Sequence, residues 1–190
     1  KAQLEQSFAR FPKRTIDLIQ VHNVGDPPTQ LGLLKEFKAA KRVRYIGITT
    51  SNSNQHESMV ELIKTQPLDF VQVVYSLANR DAADTVLPGA MAKGVRVLIN
   101  MPFGGRRDGN LIRRMADRPL PDWAADIDAT SWGQIFLKYV VSHPAVTVAI
   151  PGMTKIAHLE DNLQALRGRL PDAAMGSRIE KFWDANFGEA

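Results

Sequence analysis

The residues of this 190-residue chain best placed to do chemistry are Gln20 and His22, two positions apart near the end of TIDLIQVHNV (15–24). Thr15, Ile16, Leu18, Ile19 and Val21 have the β-branched and apolar character of a strand buried on both faces, and Val24, Gly25, Asp26, Pro27 and Pro28 stop it. Side chains alternate along a strand, so Gln20 and His22 share a face with Ile16 and Leu18. Parallel-sheet proteins place their chemistry at such carboxyl ends. A histidine hydrogen-bonded at a strand end with no further duty is the alternative. Polar residues recur at later strand ends, at Thr49, Tyr75 and Asn100, with Gly152 after the last. Metal chemistry has no support, since His22, His56, His143 and His158 show no HxxxH spacing. The chain has no cysteine, which removes disulfide and thiolate chemistry and says little about compartment.

The elements that must position these groups alternate along the chain. Expected strands cover 15–22, 43–50, 70–76, 95–101 and 146–150. Helices lie between them. One carries Leu31, Leu34 and Phe37; the next carries Met59, Val60, Leu62 and Ile63; a third runs through about residue 93 to Gly94. Pro102, Gly104, Gly105 and Gly109 keep PFGGRRDGN (102–110) irregular. A basic helical piece and a proline-rich loop follow, flanked by Trp123 and Trp132, which either contact a substrate or, as is commoner, pack the loop down. Ser131 and Gln134 read as a capping box. Helix 154–167 has Ile156, Leu159, Leu163 and Leu166 on one stripe with Gly168 at its end, and Asp172 opens a last helix carrying Met175, Ile179 and Phe182. Five strand–helix units imply parallel strands in one sheet. With no GxGxxG or GxxxxGK[ST], and with polar strand ends suited to a shared mouth, a (β/α)8 barrel is favoured over a doubly wound open sheet.

Composition adds bounds. Hydrophobic content of 44% and charged content of 23% are ordinary for a globular protein. A net charge of +4 suits a phosphate-bearing ligand or a nucleic acid, although a mildly basic surface without consequence is commoner. No apolar run approaches membrane-spanning length and no signal peptide is recognisable. The chain opens on Lys1, and Leu4, Phe8 and Phe11 at helical spacing make its start read as a helix already under way. The expectation is an N-terminus that is missing, cleaved or not represented.

In order, DLIQVHN, KRVRYIGIT, LDFVQVVYS, GVRVLINMPFGG, LKYVVSHPAV and IPGMTKIAHLEDNLQA resemble the later strands of the aldo-keto reductase family. The resemblance covers almost the whole chain. It implies a (β/α)8 TIM barrel, here the five C-terminal strand–helix units plus a C-terminal helix, so that residues 1–190 form a single barrel domain incomplete at its N-terminus. Such barrels run to roughly 250 residues or more. It also implies an NADP(H)-dependent enzyme that reduces a small-molecule aldehyde or ketone by hydride transfer. His22 is then the histidine that orients the carbonyl. The family's acid tyrosine and its aspartate and lysine would belong to the absent third, and Tyr45, Tyr75 and Tyr139 are no substitutes.

The same resemblance distributes the cofactor. Thr49, Thr50 and Gln72 would hold the nicotinamide carboxamide, with Thr49-Thr50 standing where the family usually has Ser-Asn. Asn100 stands where many members stack an aromatic ring. Pro102, Phe103, Gly104 and Gly105 would bring backbone amides to the pyrophosphate. Gly152, Met153, Thr154 and Lys155 lead into a helix N-terminus suited to an anion. His158 would face the 2′-phosphate, and Asp161 and Asn162 the adenine.

Two other readings stand beside the enzyme. One is a truncated, non-catalytic relative that binds a nucleotide or a partner. The other is a nucleic-acid-binding protein, resting on Arg106, Arg107, Arg113 and Arg114, which no recognised motif accompanies. No nucleic-acid or membrane partner is therefore expected. Self-association is expected through the barrel edges at strands 15–22 and 146–150, which carry Ile16, Leu18, Val146 and Val148 without protective lysines or bulges.

Overall fold

A computed structural model describes residues 1–11, 15–105 and 110–187. Five strands form one sheet: β1 Ile16–Val21, β2 Val43–Thr49, β3 Phe70–Val74, β4 Arg96–Asn100 and β5 Val146–Ile150. All neighbouring pairs are parallel and in chain order. The register shifts between Val97 and Leu98 where β4 meets β5, a local irregularity on the last strand pair.

Helix α1 Ala2–Arg10 precedes the sheet, α2 Pro27–Ala39, α3 His56–Thr65, α4 Asp81–Asp84, α5 Val86–Lys93, α6 Leu111–Arg114 and α7 Trp132–Ser142 lie in the crossovers, and α8 Ile156–Gln164 and α9 Ala173–Phe187 follow the last strand. Where one helix was expected up to residue 93, there are two, because Thr85 (φ −119°, ψ −77°) leaves helical geometry between α4 and α5. Gly94 then ends α5 in the left-handed conformation (φ 67°) that its missing side chain permits.

Alternation gives the sheet two unlike faces. Ile46, Ile48, Val71, Val73, Val97 and Ile99 are buried in the main core beneath the helices. On the opposite face, Leu18, Gln20, Tyr45, Phe70, Gln72, Leu98 and Asn100 are half-buried, and Val148 and Ile150 on β5 are 45% and 44% exposed. Burying the first face supplies most of the apolar stabilisation, at about 25 cal/mol per Å².

The long excursion packs rather than projects. Trp123 and Trp132 are buried, Trp132 stacks on Phe182 of α9 while Trp123 meets that ring edge-to-face, and Trp132 Nε1 donates to the Arg118 carbonyl at 3.0 Å. At the opposite end of the chain, Phe8 of α1 stacks on Phe37 of α2 (centroids 5.4 Å), and Arg42 lies 4.0 Å over the Phe8 ring while pairing with Glu5. Among the described residues, no helix is long and apolar enough to cross a membrane.

Candidate active site

Because all five strands run the same way, their carboxyl ends share one edge of the sheet. His22 is exposed there, opening the short turn His22–Val24 directly after β1. The turn is tight: the Gly25 N–H donates to the His22 carbonyl at 3.1 Å. It is also strained, with Asn23, Val24 and Asp26 at φ of 51°, 50° and 47°. A β-branched residue such as Val24 rarely occupies that region, so its surroundings must hold it.

The neighbouring strand end does so. Thr49 is buried at the end of β2, and its hydroxyl oxygen accepts the Asn23 N–H at 3.2 Å. Gln55 Nε2 donates to the Asn23 carbonyl at 3.0 Å, and the fully buried Thr50 donates its hydroxyl to Gln55 Oε1. The Thr50 N–H continues the ladder to the Gln72 carbonyl at 2.9 Å. The hydroxyl of Thr50 is thus used within the protein. Gln55 stands beyond the strand end that the sequence marks, and its partner Asn23 is 32 residues away, so no local pattern signals its role.

On the open face, Gln20 Nε2 donates to Gln72 Oε1 at 3.0 Å, spanning β2. Gly47 lies between them. A Cβ there would come within 2.4 Å of the Phe70 carbonyl oxygen and 3.2 Å of Gln20 Cγ, so the crossing needs a glycine. Two side-chain oxygens on this face, Gln20 Oε1 and Asn100 Oδ1, are buried without a hydrogen-bond partner among the described residues. Unpaired buried acceptors are uncommon, and at a strand end they suit a ligand that donates.

Asn100 closes β4, and Met101 (φ 51°) and Gly104 (φ 83°) turn the chain after it. Pro102 is buried, and Phe103 packs against the core while its carbonyl accepts the Leu111 N–H at 2.9 Å. The Gly104 N–H is taken by the Met101 carbonyl at 3.0 Å, and Gly105 is half-buried. Arg106 and Arg107 lie outside the described residues.

After β5, Gly152, Thr154 and Lys155 are exposed and Met153 half-buried. Lys155 is the N-cap of α8 but makes no side-chain cap bond. The His158 N–H is taken by the Lys155 carbonyl at 3.1 Å, and the amides of Ile156 and Ala157 before it face the helix N-terminus, where an anion is favoured. His158 is exposed one turn on. Asn162 Nδ2 lies 3.8 Å from Met153 Sδ. Asp161 faces α7 instead: its carboxylate accepts from Ser131 Oγ at 2.7 Å and from Gln134 Nε2 at 2.6 Å, at the positive end of that helix. Ser131 does cap α7, accepting the Gln134 N–H, but Gln134 does not complete a capping box; its Oε1 accepts the Thr130 N–H.

Tyr75 differs from the sequence expectation of a polar group at the mouth. It is buried on the helix-covered side, where its hydroxyl donates to Tyr139, which donates to Glu180 at 2.6 Å. Burial pushes both phenols above their ordinary pKa. One residue of alternation past Val74 decides this. The described residues contain no group of three or more acidic, histidine or cysteine side chains able to hold a metal.

The model of the Aldo/keto reductase family matches residues 1–184. Among curated proteins, pyridoxine 4-dehydrogenase of Escherichia coli is 25% identical over 153 residues, covering 80% of this chain and 50% of that protein. L-glyceraldehyde 3-phosphate reductase of the same organism is 25% identical over 199 residues, covering 87% and 57%. The chain thus spans about half the length of the curated relatives it matches. Among solved structures, aldo-keto reductase AKR11C1 of Bacillus halodurans in its holo form superposes with a TM-score of 0.74 at 21% identity, over 95% of this chain and 65% of that one. That likeness fixes the fold: the parallel sheet and its helices are part of a (β/α)8 barrel.

Proposed function

Since this chain belongs to the aldo/keto reductase family, we propose that the protein carrying it is an NADP(H)-dependent oxidoreductase reducing aldehydes or ketones to alcohols, with residues 1–190 forming the C-terminal part of one barrel domain. The observation that carries the reading is the gathering of His22, Thr49, Asn100 and the 102–105 and 152–155 segments at the carboxyl edge of one parallel sheet. When bound, the nicotinamide would supply the hydride.

The residues present fit such a cofactor. The orphaned Asn100 Oδ1 suits the N–H₂ of a carboxamide, on the same sheet face as Gln72 of the neighbouring strand. The uncapped N-terminus of α8, with Lys155 and His158 exposed, suits a phosphate. Gly152, Met153 and Thr154 lead to it, and Asn162 remains the side chain for an adenine edge. Thr49, Thr50, Gln72 and Asp161 fit less directly, because each already has a protein hydrogen-bond partner. His22 would donate from its imidazole to the substrate carbonyl oxygen, holding it as negative charge develops. General acid catalysis, worth about 10²–10⁴-fold, would come from a group outside this chain.

A non-catalytic nucleotide- or partner-binding relative is the second reading, favoured by the tyrosines. Tyr75 and Tyr139 are locked together in the core, and Tyr45 sits mid-strand opposite Leu18 with its ring edge on Phe70. Titration of NADPH and NADH, followed by nicotinamide fluorescence, tests the shared part. Tighter NADPH binding supports the proposal, and no binding of either rejects it. Reduction of simple aldehydes by a polypeptide carrying this chain in a complete barrel separates the readings: turnover supports the enzyme, and its absence with intact NADPH binding supports the relative.

A further inference from the structure

We propose that Gln55 is a positioning residue for His22, acting through Asn23; this rests on the reading of His22 as the group that orients the carbonyl. The geometry is a chain of side-chain bonds between two segments of the carboxyl edge. Thr50, fully buried at the end of β2, donates to Gln55 Oε1, which fixes the amide so that Nε2 points to the Asn23 carbonyl at 3.0 Å. Thr49 takes the N–H of the same residue at 3.2 Å. Both backbone polar groups of Asn23 are therefore held by side chains from the β2–α3 segment.

The arrangement has a physical reason. Asn23 and Val24 are both left-handed (φ 51° and 50°), and Val24 is β-branched, so the turn does not hold itself. His22 is the residue immediately before it, and its carbonyl closes the turn by accepting the Gly25 N–H. Moving Asn23 re-aims the His22 backbone, and hence its ring. Releasing the turn would cost orientation of the imidazole, and misplacement of a catalytic group by about an ångström can cost on the order of 10²-fold in rate. The reading also changes what Thr50 does. Its hydroxyl acts on the histidine-bearing turn and not on the cofactor.

Two variants break the chain at different bonds. Gln55→Glu removes the donor to Asn23 while still accepting from Thr50, and Thr50→Val removes the hydroxyl with little change of shape. Amide hydrogen exchange at Asn23 and the His22 imidazole resonances are measured by NMR on a complete barrel carrying this chain. Each variant is expected to speed exchange at Asn23 by about two- to tenfold, the worth of one hydrogen bond, and to shift the His22 resonances. Thr50→Ser, which keeps the hydroxyl, is expected to restore both. Met59→Leu, altering the buried face of α3, serves as a control for general loosening and should leave Asn23 protection in step with the rest of the sheet. In a catalytically active barrel carrying this chain, both breaking variants should lower kcat and leave the dissociation constant of NADPH unchanged.

Unchanged exchange at Asn23 and unmoved His22 resonances in both variants overturn the proposal whatever the activity. So does a Thr50→Val variant that weakens NADPH binding while Asn23 stays protected, or a control that releases Asn23 as much as the test variants do. A released turn with kcat intact upholds the link from Gln55 to His22 and rejects the catalytic role given to His22.

Discussion

At the residue scale, His22 and Asn100 make separable predictions. His22 is exposed on its turn, so removing its ring disturbs no core packing. In an active barrel carrying this chain, His22→Ala should lower kcat by about 10²-fold or more, the usual loss for one donor to a developing oxyanion. Thermal melting should be unchanged, and NADPH binding should persist. Asn100 is the reverse case. Its Oδ1 is buried without a partner among the described residues, so the free protein gains nothing from it. Asn100→Leu is expected to hold or raise the melting temperature of the unliganded protein. NADPH binding should weaken by about three- to tenfold, the value of one hydrogen bond. Fluorescence titration beside a melting curve reads both, and a destabilised variant with unchanged binding would remove Asn100 from the site.

At the scale of elements, the turn after α8 is set by one lock. Lys138 of α7 is fully buried, and its ammonium donates to the carbonyls of Arg167 and, at 2.9 Å, Arg169. Burial lowers its pKa, partly offset by nearby Asp128. Asp128 accepts the backbone N–H and the guanidinium of Arg169, and these bonds hold its carboxyl well below the usual range. Gly168, between the two arginines, is at φ 71°, and a Cβ would meet Asp128 Oδ2 at 2.6 Å. Gly168→Ala should therefore cost about 1–3 kcal/mol, from a left-handed backbone and the clash together. Lys138→Met should cost about 1–3 kcal/mol by removing two hydrogen bonds from a charged donor. Chemical denaturation measures each.

A pH prediction belongs to this scale as well. His56, the first residue of α3, shares a 2.9 Å hydrogen bond with Thr85 between α4 and α5, while His143 accepts the Ala145 N–H just before β5. Burial lowers both pKa values below the ordinary value of 6.5. As pH falls below about 6.5, the unfolded chain binds protons that the folded chain resists, so stability is full above that value and is lost on acidification towards the lowered folded values. Denaturant midpoints should fall between pH 7.5 and 5.5, and less steeply in His56→Asn.

For the whole molecule, the sheet has two ends. Among the described residues, β1 pairs only with β2, and β5 only with β4. Beside β5 a groove of about 410 Å³ is lined by Val148, Leu159 and Leu163, and the α8 stripe continues into Ile156 and Leu166, which are 77% and 72% exposed. Paired edges are the norm because open ones recruit other strands. The isolated 190-residue polypeptide is accordingly expected to self-associate, giving concentration-dependent species above monomer mass in sedimentation velocity. A monomer that stays single at every concentration and unfolds cooperatively would contradict this.

The order of elements, the parallel strands and the placing of His22 at a strand end were legible in the chain because each is a local property. Period-2 and helical spacing, proline and glycine stops and the ordered motifs all act within a few residues, and β5 was located to the residue. The family followed from those motifs and stands confirmed by the match over residues 1–184. Partners distant in sequence needed the tertiary structure. Tyr75 turned to Tyr139, 64 residues on, and Asp161 to Ser131 and Gln134; Gln20 reached Gln72 over Gly47. The Leu159 stripe, which spacing alone marks as a core-facing surface, lies open because no described strand covers β5. Periodicity says which side chains share a face. Only register and packing say what that face meets, since the energy of a hydrogen bond or a buried methyl depends on the atom opposite it.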